Sequence, residues 1–409
     1  MESLKINKIN KPVSGNIQIT GSKSETNRLL ILQQFYKNLQ IENISNSDDS
    51  VLMQKALLST SNEINIGHAG TAMRFLTSYF AVKENSEIIL TGSHRMKDRP
   101  IKILVDALKS LGANIQYLEK EGFPPLKIIG KKLLHNFVEI DGNVSSQYIS
   151  ALLLIASKLD NGLELTLNGK ITSVPYIKMT LSLLNEIGVE TSFIENIISV
   201  KPNNSKLLPQ TLTVESDWSS ASYFYSVIAL SDIGTEITIA SYKKESLQGD
   251  SVLVKIYQSF GVTTHYNSNS IRLVKTEETQ TSNLEFHLSD APDIAQTIAV
   301  TAFGLGVECY LTGLHTLKIK ETDRLIALEN ELSKLGAQIR VTEESLHLSA
   351  AQDFKANQTI ATYSDHRMAM AFAPLALRLP YLEIEEEQVV DKSYPEFWEH
   401  LSAVGGMVV

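Results

Sequence analysis

The sequence has a single cysteine in 409 residues, which excludes several kinds of site at once. One thiol cannot form an intramolecular disulfide, and it cannot build a metal site from cysteine ligands. Cys309 lies in an apolar stretch that runs from Ala302 to Tyr310. This context favours the interpretation that Cys309 is a small buried hydrophobic residue.

Long hydrophobic runs are also missing. No stretch approaches the roughly 18 consecutive apolar residues of a membrane-spanning helix, and residues 1–7 contain no apolar segment typical of a signal peptide. Hydrophobic residues nevertheless make up 43% of the chain, enough to bury substantial cores. We therefore expect a globular protein of at least two domains that has no membrane partner and is cytoplasmic.

Positive charge is scarce, since 37 Lys and Arg residues stand against 46 Asp and Glu, for a formal net charge of −9. This balance argues against a diffuse basic surface, so no nucleic-acid partner is expected. The Gly-x4-Gly-Lys-Ser/Thr spacing of a phosphate-binding P-loop is absent as well. Any anion that this protein binds must be held by local clusters of cations.

One sequence pattern recurs along the chain: an amphipathic helix that ends in an apolar residue and a glycine, followed by a strand. The four glycines are Gly112, Gly188, Gly261 and Gly336, with spacings of 76, 73 and 75 residues. Glycine directly after a helix suits a left-handed C-cap, and a period near 75 fits a βαβ-containing unit used several times. The alternative is four unrelated helix ends, because Leu-Gly-Ala is a common helix terminus.

Several predicted helices begin with hydroxyl or glycine residues. Ser22 and Glu25 have the spacing of a capping box, which predicts a helix start with free N–H groups at its positive end. Ser24 and Arg28 then share one helical face, with Lys23 at the start of the helix, and this arrangement can bind an anion. Similar starts occur in residues 68–74, 145–148 and 173–176. Any one of them alone is equally typical of a capped surface helix with solvated charges.

Charge is concentrated in three further segments, residues 95–100, 318–324 and 365–367. In the second segment, Lys320 and Arg324 are predicted to share a helical face, with Glu321 adjacent at the helix start. Arg offers phosphate and carboxylate groups a bidentate fork, and Lys offers a point charge. Each segment alone is compatible with a solvated helix face, but together, in an acidic chain, they indicate a functional site.

In this order the segments resemble the enolpyruvyl transferases, and specifically the shikimate-pathway member of that family. The resemblance runs from about residue 12 to residue 400. Its motifs are Gly21-Ser22-Lys23-Ser24 with Asn27-Arg28, Ala69 to Arg74, Arg95 to Pro100, Ser145-Ser146-Gln147, Pro292-Asp293, Lys320 to Arg324, Asp365 to Met370, and Lys392 to Pro395. No single motif is decisive, but eight in the right order leave little room for chance.

The resemblance implies an α/β (α+β) fold, a two-domain inside-out α/β barrel in which each domain has three βαβαββ units. It implies a discontinuous domain of residues 1–16 plus 216–409 and an inserted domain of residues 17–215. The active site is expected in the cleft between them, and the chain is expected to be a monomer. Six units in 409 residues agree with the glycine spacing.

The resemblance also implies a set of site residues. Those expected to bind shikimate 3-phosphate are Lys23, Ser24, Arg28, Ser145, Ser146, Gln147, Ser173, Tyr176, Asp293 and Lys320. Those expected to bind phosphoenolpyruvate are Lys23, Gly70, Arg99, Gln147, Arg324, Arg367 and Lys392. The expected catalytic residues are Asp293, Glu321 and Lys23.

The implied reaction moves the enolpyruvyl group of phosphoenolpyruvate to the 5-hydroxyl of shikimate 3-phosphate, by addition and elimination through a tetrahedral intermediate. Each substrate carries a phosphate and a carboxylate, so several cations are needed to hold both. The hydroxyl must lose a proton while C3 of the enol gains one, and two carboxylates can share these tasks. The sequence does not decide which of Asp293 and Glu321 does which. No metal and no cofactor is expected.

Two other functions remain open. The sister enzyme that transfers enolpyruvate to UDP-N-acetylglucosamine has a Gly-Ala-Lys-Asn type motif where residues 21–24 read Gly-Ser-Lys-Ser here. A non-catalytic anion-binding relative would be favoured by loss of Asp293, Glu321 or Lys23, and all three are present. The chain departs from the usual pattern of the shikimate-pathway enzymes at His68, Val174 and Thr316.

Overall fold

The computed structural model describes residues 3–7, 12–172, 174–203, 209–279, 283–351 and 353–405. The strands are β1 (Ser3–Asn7), β2 (Ser14–Gln18), β3 (Leu39–Glu42), β4 (Glu63–Asn65), β5 (Glu87–Thr91), β6 (Asn114–Tyr117), β7 (Leu126–Ile129), β8 (Phe137–Asp141), β9 (Leu163–Asn168), β10 (Thr191–Ile194), β11 (Ile197–Val200), β12 (Gln210–Thr213), β13 (Glu236–Ala240), β14 (Val262–Tyr266), β15 (Ser270–Lys275), β16 (Asn283–His287), β17 (Glu308–Thr312), β18 (Ile339–Val341), β19 (Ser345–Leu348), β20 (Thr359–Ile360) and β21 (Tyr381–Glu385). The α-helices are α1 (Lys23–Phe35), α2 (Asp48–Leu58), α3 (Gly70–Val82), α4 (His94–Lys97), α5 (Lys102–Ser110), α6 (Ser146–Ala156), α7 (Val174–Glu186), α8 (Trp218–Ala229), α9 (Leu253–Gln258), α10 (Ala295–Leu305), α11 (Arg324–Lys334), α12 (His366–Phe372) and α13 (Phe397–Gly405). Short 3-10 helices span Gly249–Val252, Pro292–Ile294, His315–Ile319, Ala373–Leu377 and Glu387–Lys392. Within these residues, no helix combines the length and the apolar character needed to cross a membrane.

The chain divides into two compact units: unit 1 contains residues 1–20 and 215–409, and unit 2 contains residues 21–214. The boundaries expected from the sequence, 16/17 and 215/216, therefore differ slightly from those observed. Residues 17–20 belong to unit 1, because β2 pairs in parallel with β13 over its whole length. Glu215 also belongs to unit 1, where its buried carboxylate accepts hydrogen bonds from Trp218 Nε1 (2.8 Å) and from the backbone N–H of Lys243 (2.9 Å).

Each unit contains three small sheets among its described residues. Four of the six sheets share one topology. Their first two strands are parallel, and the third and fourth strands each pair antiparallel with the strand before them. Their strand orders are β4-β5-β7-β6 and β8-β9-β11-β10 in unit 2, and β2-β13-β15-β14 and β16-β17-β19-β18 in unit 1. The other two sheets are β3-β12 in unit 2 and β1-β21-β20 in unit 1. The predicted two-domain α/β fold is confirmed.

Each of the four repeat glycines follows the helix that precedes the antiparallel strand pair of a four-stranded sheet. All four have positive φ, 106° at Gly112, 80° at Gly188, 78° at Gly261 and 99° at Gly336. After α7, the N–H of Gly188 donates to Asn185 O and the N–H of the next residue donates to Leu184 O, the bond pair of a Schellman cap. The predicted repeat is therefore a structural repeat, and the alternative of unrelated helix ends is wrong.

Some helices are enclosed by the rest of their unit, whereas the strands of the sheets have one buried and one exposed face. All twelve residues of α8 and all seven of α12 are buried. Strand β8, by contrast, alternates exposed and buried residues. A helix that is apolar on every side must be enclosed by protein, whereas a strand with one apolar face covers a core. Cys309 is fully buried in unit 1, as the sequence predicted.

Candidate active site

Three helices of unit 2 begin at predicted site residues. Helix α1 begins at Lys23, α3 at Gly70 and α6 at Ser146. Ser145 is the N-cap of α6, and its hydroxyl accepts a hydrogen bond from the backbone N–H of Gln147 (3.4 Å). Ser22 is the N-cap of α1, but its hydroxyl accepts no capping hydrogen bond, so this half of the predicted capping box is wrong. The first turn is closed by the backbone alone, through Thr26 N–H to Ser22 O (2.9 Å).

Arg28 is the most enclosed cation of the predicted unit 2 site. Its guanidinium donates to Thr180 Oγ1 (2.7 Å), Ser150 Oγ (2.8 Å) and Ser24 O (2.8 Å). Burial lowers the pKa of Arg28 to about 10. Since these hydrogen-bond partners are neutral, they orient the guanidinium without cancelling its charge. Thr180 and Ser150 were not predicted, because nothing in their local sequence distinguishes these hydroxyls from others on the same helices.

Gly70 and Arg99 lie directly against one another. A Cβ atom at Gly70 would lie 2.5 Å from Nη1 of Arg99, so the guanidinium occupies the space that glycine leaves open. Pro100, the next residue, is held through its carbonyl oxygen by Arg74 Nη2 (2.9 Å) and by the Tyr148 hydroxyl (2.7 Å). Burial is the main cause that lowers the pKa of Arg74 to about 10. Arg74 and Tyr148 thus fix the backbone beside Arg99, a role that the sequence did not reveal.

The remaining predicted residues of unit 2 are less enclosed. Lys23 is half-buried, with Nζ 3.8 Å from the buried carboxylate of Asp49 on α2. Gln147 Nε2 donates to Thr71 Oγ1 (3.3 Å), which brings the starts of α6 and α3 together. Tyr176, in the first turn of α7, offers its carbonyl oxygen to Arg28 (3.4 Å). Ser173 lies outside the described residues.

Arg324 is the centre of the predicted site in unit 1. Its side chain is 2% exposed and contacts three carboxylates. Nε lies 2.6 Å from Asp365 Oδ2, Nη1 lies 2.9 Å from Asp293 Oδ1, and Nη2 lies 2.7 Å from Glu321 Oε2. The Coulomb attraction of these three carboxylates outweighs burial and raises the pKa of Arg324. The guanidinium is therefore a permanent cation with a fixed orientation.

The predicted helical face shared by Lys320 and Arg324 is wrong. Helix α11 begins at Arg324, because the carboxylate of Asp323 caps it by accepting hydrogen bonds from the N–H groups of Leu325 (3.2 Å) and Ile326 (3.3 Å). Lys320 therefore precedes the helix in a bend. Lys320 and Arg324 converge on one carboxylate instead of lying along one helix.

That carboxylate is Asp293, which follows the proline at the start of the 3-10 helix Pro292–Ile294. It lies 3.3 Å from Lys320 Nζ, 2.9 Å from Arg324 Nη1 and 3.4 Å from Arg367 Nη2. Burial alone would raise the pKa of Asp293, but these three cations hold it well below its usual range. Asp293 is therefore ionised.

Glu321 is a second carboxylate held between cations. Its Oε1 lies 2.6 Å from Lys392 Nζ, and its Oε2 lies 2.7 Å from Arg324 Nη2. Burial would raise the pKa of Glu321, but Arg324 and Lys392 together hold it well below its usual range. Either carboxylate can be protonated only when the cations beside it are drawn to another anion.

Two carboxylates at this site were not predicted as site residues. Asp365 is fully buried; it pairs with Arg324 and caps α12 by accepting a hydrogen bond from the backbone N–H of Arg367 (2.9 Å). Its signal in the sequence was an aspartate directly before an apolar helix. Asp250 is buried in the 3-10 helix Gly249–Val252, and nothing in residues 248–252 marks it. Burial first, and then the charge of Asp293, raise the pKa of Asp250 to about 7.

The raised pKa of Asp250 predicts a pH-dependent stability. Its pKa rises from 3.8 to about 7 on folding, so its contribution is fully present below pH 3.8 and is lost as pH rises toward 7. In Asp250→Asn, which cannot ionise, the free energy of unfolding relative to wild type should increase between pH 4.5 and 7.5 by up to roughly 3 kcal/mol. Urea unfolding at both pH values, with the exposed Asp290→Asn as control, measures this difference. If the difference in unfolding free energy between Asp250→Asn and wild type does not change with pH, the raised pKa of Asp250 is refuted.

The described residues contain no group of three or more His, Cys, Asp and Glu side chains arranged to hold a metal ion.

Thr316, one of the three departures from the family pattern, has a buried hydroxyl without a hydrogen-bond partner among the described residues. His68 is exposed and directly precedes Ala69, the N-cap of α3.

Comparison with known proteins identifies the family. The family model described as EPSP synthase (3-phosphoshikimate 1-carboxyvinyltransferase) matches residues 33–401. A 3-phosphoshikimate 1-carboxyvinyltransferase from Bacteroides fragilis is 46% identical over 398 residues, 96% of both chains, and one from Histophilus somni is 34% identical over 99% of both chains. A solved EPSP synthase from Acinetobacter baumannii has the same fold, with a TM-score of 0.82 at 20% identity, covering 99% of this chain and 98% of that one. The resemblance found in the motifs is thus confirmed, and the chain belongs to the EPSP synthase (3-phosphoshikimate 1-carboxyvinyltransferase) family.

Proposed function

We propose that this protein transfers the enolpyruvyl group of phosphoenolpyruvate to the 5-hydroxyl of shikimate 3-phosphate and releases phosphate. The observation that carries the proposal is the ionised carboxylate of Asp293 surrounded by Lys320, Arg324 and Arg367. Such a site offers cations for anionic substrates and, at the same place, a base for a hydroxyl proton. The proposal needs no metal and no cofactor, and it retains the monomeric state and the cytoplasmic location expected from the sequence.

The binding roles in this proposal follow the sequence assignment. Shikimate 3-phosphate is bound by Lys23, Ser24, Arg28, Ser145, Ser146, Gln147, Ser173, Tyr176, Asp293 and Lys320. Phosphoenolpyruvate is bound by Lys23, Gly70, Arg99, Gln147, Arg324, Arg367 and Lys392. The neutral partners of Arg28 and the Arg99 guanidinium that lies against Gly70 support these roles, because both keep positive charge available to an anion.

In the addition step, the 5-hydroxyl oxygen attacks C2 of the enol, its proton passes to Asp293, and C3 gains a proton to become a methyl group. We assign the second proton to Glu321. The neighbouring cations keep both carboxylates ionised in the structure. When substrate anions bind Arg324 and Lys392, the pKa of Glu321 must rise, because these two cations are what lower it. Substrate binding thus allows Glu321 to take up the proton that it then donates.

In the elimination step, a proton leaves C3, the bond between C2 and the phosphate oxygen breaks, and inorganic phosphate departs. The C3 methyl group formed in the addition step loses this proton, so the carboxylate that donated it can take it back. Lys23, at the start of α1 and 3.8 Å from Asp49, is the catalytic cation that we assign to the charge of the phosphate.

Phosphate release tests the proposal. The purified protein is incubated with phosphoenolpyruvate and either shikimate 3-phosphate, UDP-N-acetylglucosamine or no acceptor, without added metal or nucleotide. We expect release only with shikimate 3-phosphate. Release only with the sugar nucleotide would move the chain to the sister reaction, and release with neither would favour a non-catalytic anion-binding relative.

A further inference from the structure

The backbone directly before Asp365 has an unusual conformation. Tyr363 and Ser364 both lie in the left-handed region, with φ values of 56° and 54°. Two consecutive non-glycine residues rarely adopt this conformation, and they keep it only where the surroundings enforce it. We call residues 361–364 the Asp365 turn.

Glu331 holds one side of the Asp365 turn. It lies on α11, its side chain is fully buried, and it takes no part in the reaction proposed above. Its Oε1 accepts a hydrogen bond from the Tyr363 hydroxyl (2.7 Å), and its Oε2 accepts one from the backbone N–H of Ala361 (3.1 Å). Lys334 Nζ, 2.6 Å from Oε2, neutralises the charge. A buried carboxylate is costly unless its oxygens are bonded in this way, so Glu331 and the turn hold each other in place.

Glu386 holds the other side of the Asp365 turn. Its Oε2 accepts hydrogen bonds from the hydroxyls of Thr362 (3.1 Å) and Ser364 (3.5 Å). Glu386 also has a left-handed backbone and directly precedes the 3-10 helix that ends in Lys392. The turn therefore connects α11, which starts with Arg324, to the segment that carries Lys392.

We propose that Glu331 and Tyr363 are positioning residues for the reaction: they hold the Asp365 turn so that Asp365 aims Arg324. Asp365 Oδ2 accepts a hydrogen bond from Arg324 Nε (2.6 Å), and this bond determines where the two Nη atoms of Arg324 point. The inference rests on the proposed function, in which Arg324 binds phosphoenolpyruvate. Relaxation of the strained turn would shift Asp365, and a shift of about 1 Å in a positioning group can cost about a hundredfold in rate.

Three single variants test the proposal. Tyr363→Phe removes the hydroxyl from a partly exposed side chain, and Glu331→Gln removes the buried charge. Lys334→Met is the matched control, because it removes the other partner of Glu331 and leaves the turn contacts. We expect both turn variants to lower kcat/KM for phosphoenolpyruvate by about tenfold to a hundredfold while KM for shikimate 3-phosphate stays unchanged. The double variant should be no worse than the worse single one, because both changes release the same contact.

A second measurement does not depend on turnover. The Nε–H resonance of Arg324, assigned by its loss in Arg324→Lys, reports the bond to Asp365 in a ¹⁵N NMR spectrum. It should shift in Tyr363→Phe and Glu331→Gln and stay in place in Lys334→Met. If wild type releases no phosphate with shikimate 3-phosphate, the proposed function fails, and this resonance still tests the positioning.

The positioning role is overturned if both turn variants match Lys334→Met in kinetics and in the Arg324 resonance. It is also overturned if KM for shikimate 3-phosphate rises as much as KM for phosphoenolpyruvate, since a general loosening of the fold would do that. If Glu331→Gln fails to fold, Tyr363→Phe alone decides, because its side chain is 37% exposed and tolerates the loss of one hydroxyl.

Discussion

Arg324→Met is expected to lower kcat/KM for phosphoenolpyruvate by at least about a thousandfold and to destabilise unit 1 by roughly 3–5 kcal/mol. The guanidinium lies within 2.6–2.9 Å of three carboxylates, and one of them, Asp365, is fully buried. Removing the shared cation leaves these anions to repel one another with little water to screen them. The loss in rate follows because the fixed positive charge for phosphoenolpyruvate is gone.

Steady-state kinetics and urea unfolding at pH 7.5 measure the two effects. Arg340→Met is the matched control, because it removes the same group from an exposed position on β18. Arg324→Lys should keep most of the stability and lose much of the rate, since one ammonium group cannot serve three carboxylates in fixed directions. Near-normal turnover in Arg324→Met would remove this residue from the proposed site.

Asp293→Asn is expected to lower kcat by about a hundredfold to ten-thousandfold without raising KM for phosphoenolpyruvate. The amide cannot take the hydroxyl proton, which accounts for the loss in rate. Lys320, Arg324 and Arg367 lose an anion that competes with the substrates, so anion binding should be unchanged or tighter. A fall in kcat without a rise in KM for phosphoenolpyruvate distinguishes loss of the base from loss of phosphoenolpyruvate binding.

Initial rates over a range of both substrates measure this effect, with the exposed Asp290→Asn on the same loop as control. The stability of the variant supplies a second check. Because the pKa of Asp293 is held well below 3.8, its contribution is present above that pH and lost as pH falls through the folded pKa. Asp293→Asn should therefore be less stable than wild type at pH 7 and approach it in acid. An unchanged kcat would refute the role as base.

Much of the fold could be predicted because its signals are local. The repeat glycines mark four left-handed helix ends, and Ser145 marks the start of α6. Each depends on contacts within one turn of a helix, so the residues that decide it are neighbours in the sequence. The site was predicted less completely. Its motif residues were recognisable, but Asp250, Glu331 and the hydroxyls around Arg28 carry no local signal.

By itself, the sequence determined the family, the repeated unit and the positions of the charged residues. Only the tertiary structure decided which charges meet: Arg324 pairs with Asp293 across 31 residues, with Asp365 across 41, and Lys392 reaches Glu321 across 71. It also decided that Asp293 and Glu321 are held ionised while the pKa of Asp250 rises to about 7. The physical reason is that pairing and burial depend on packing between distant segments, whereas helix caps and strand alternation depend on adjacent residues.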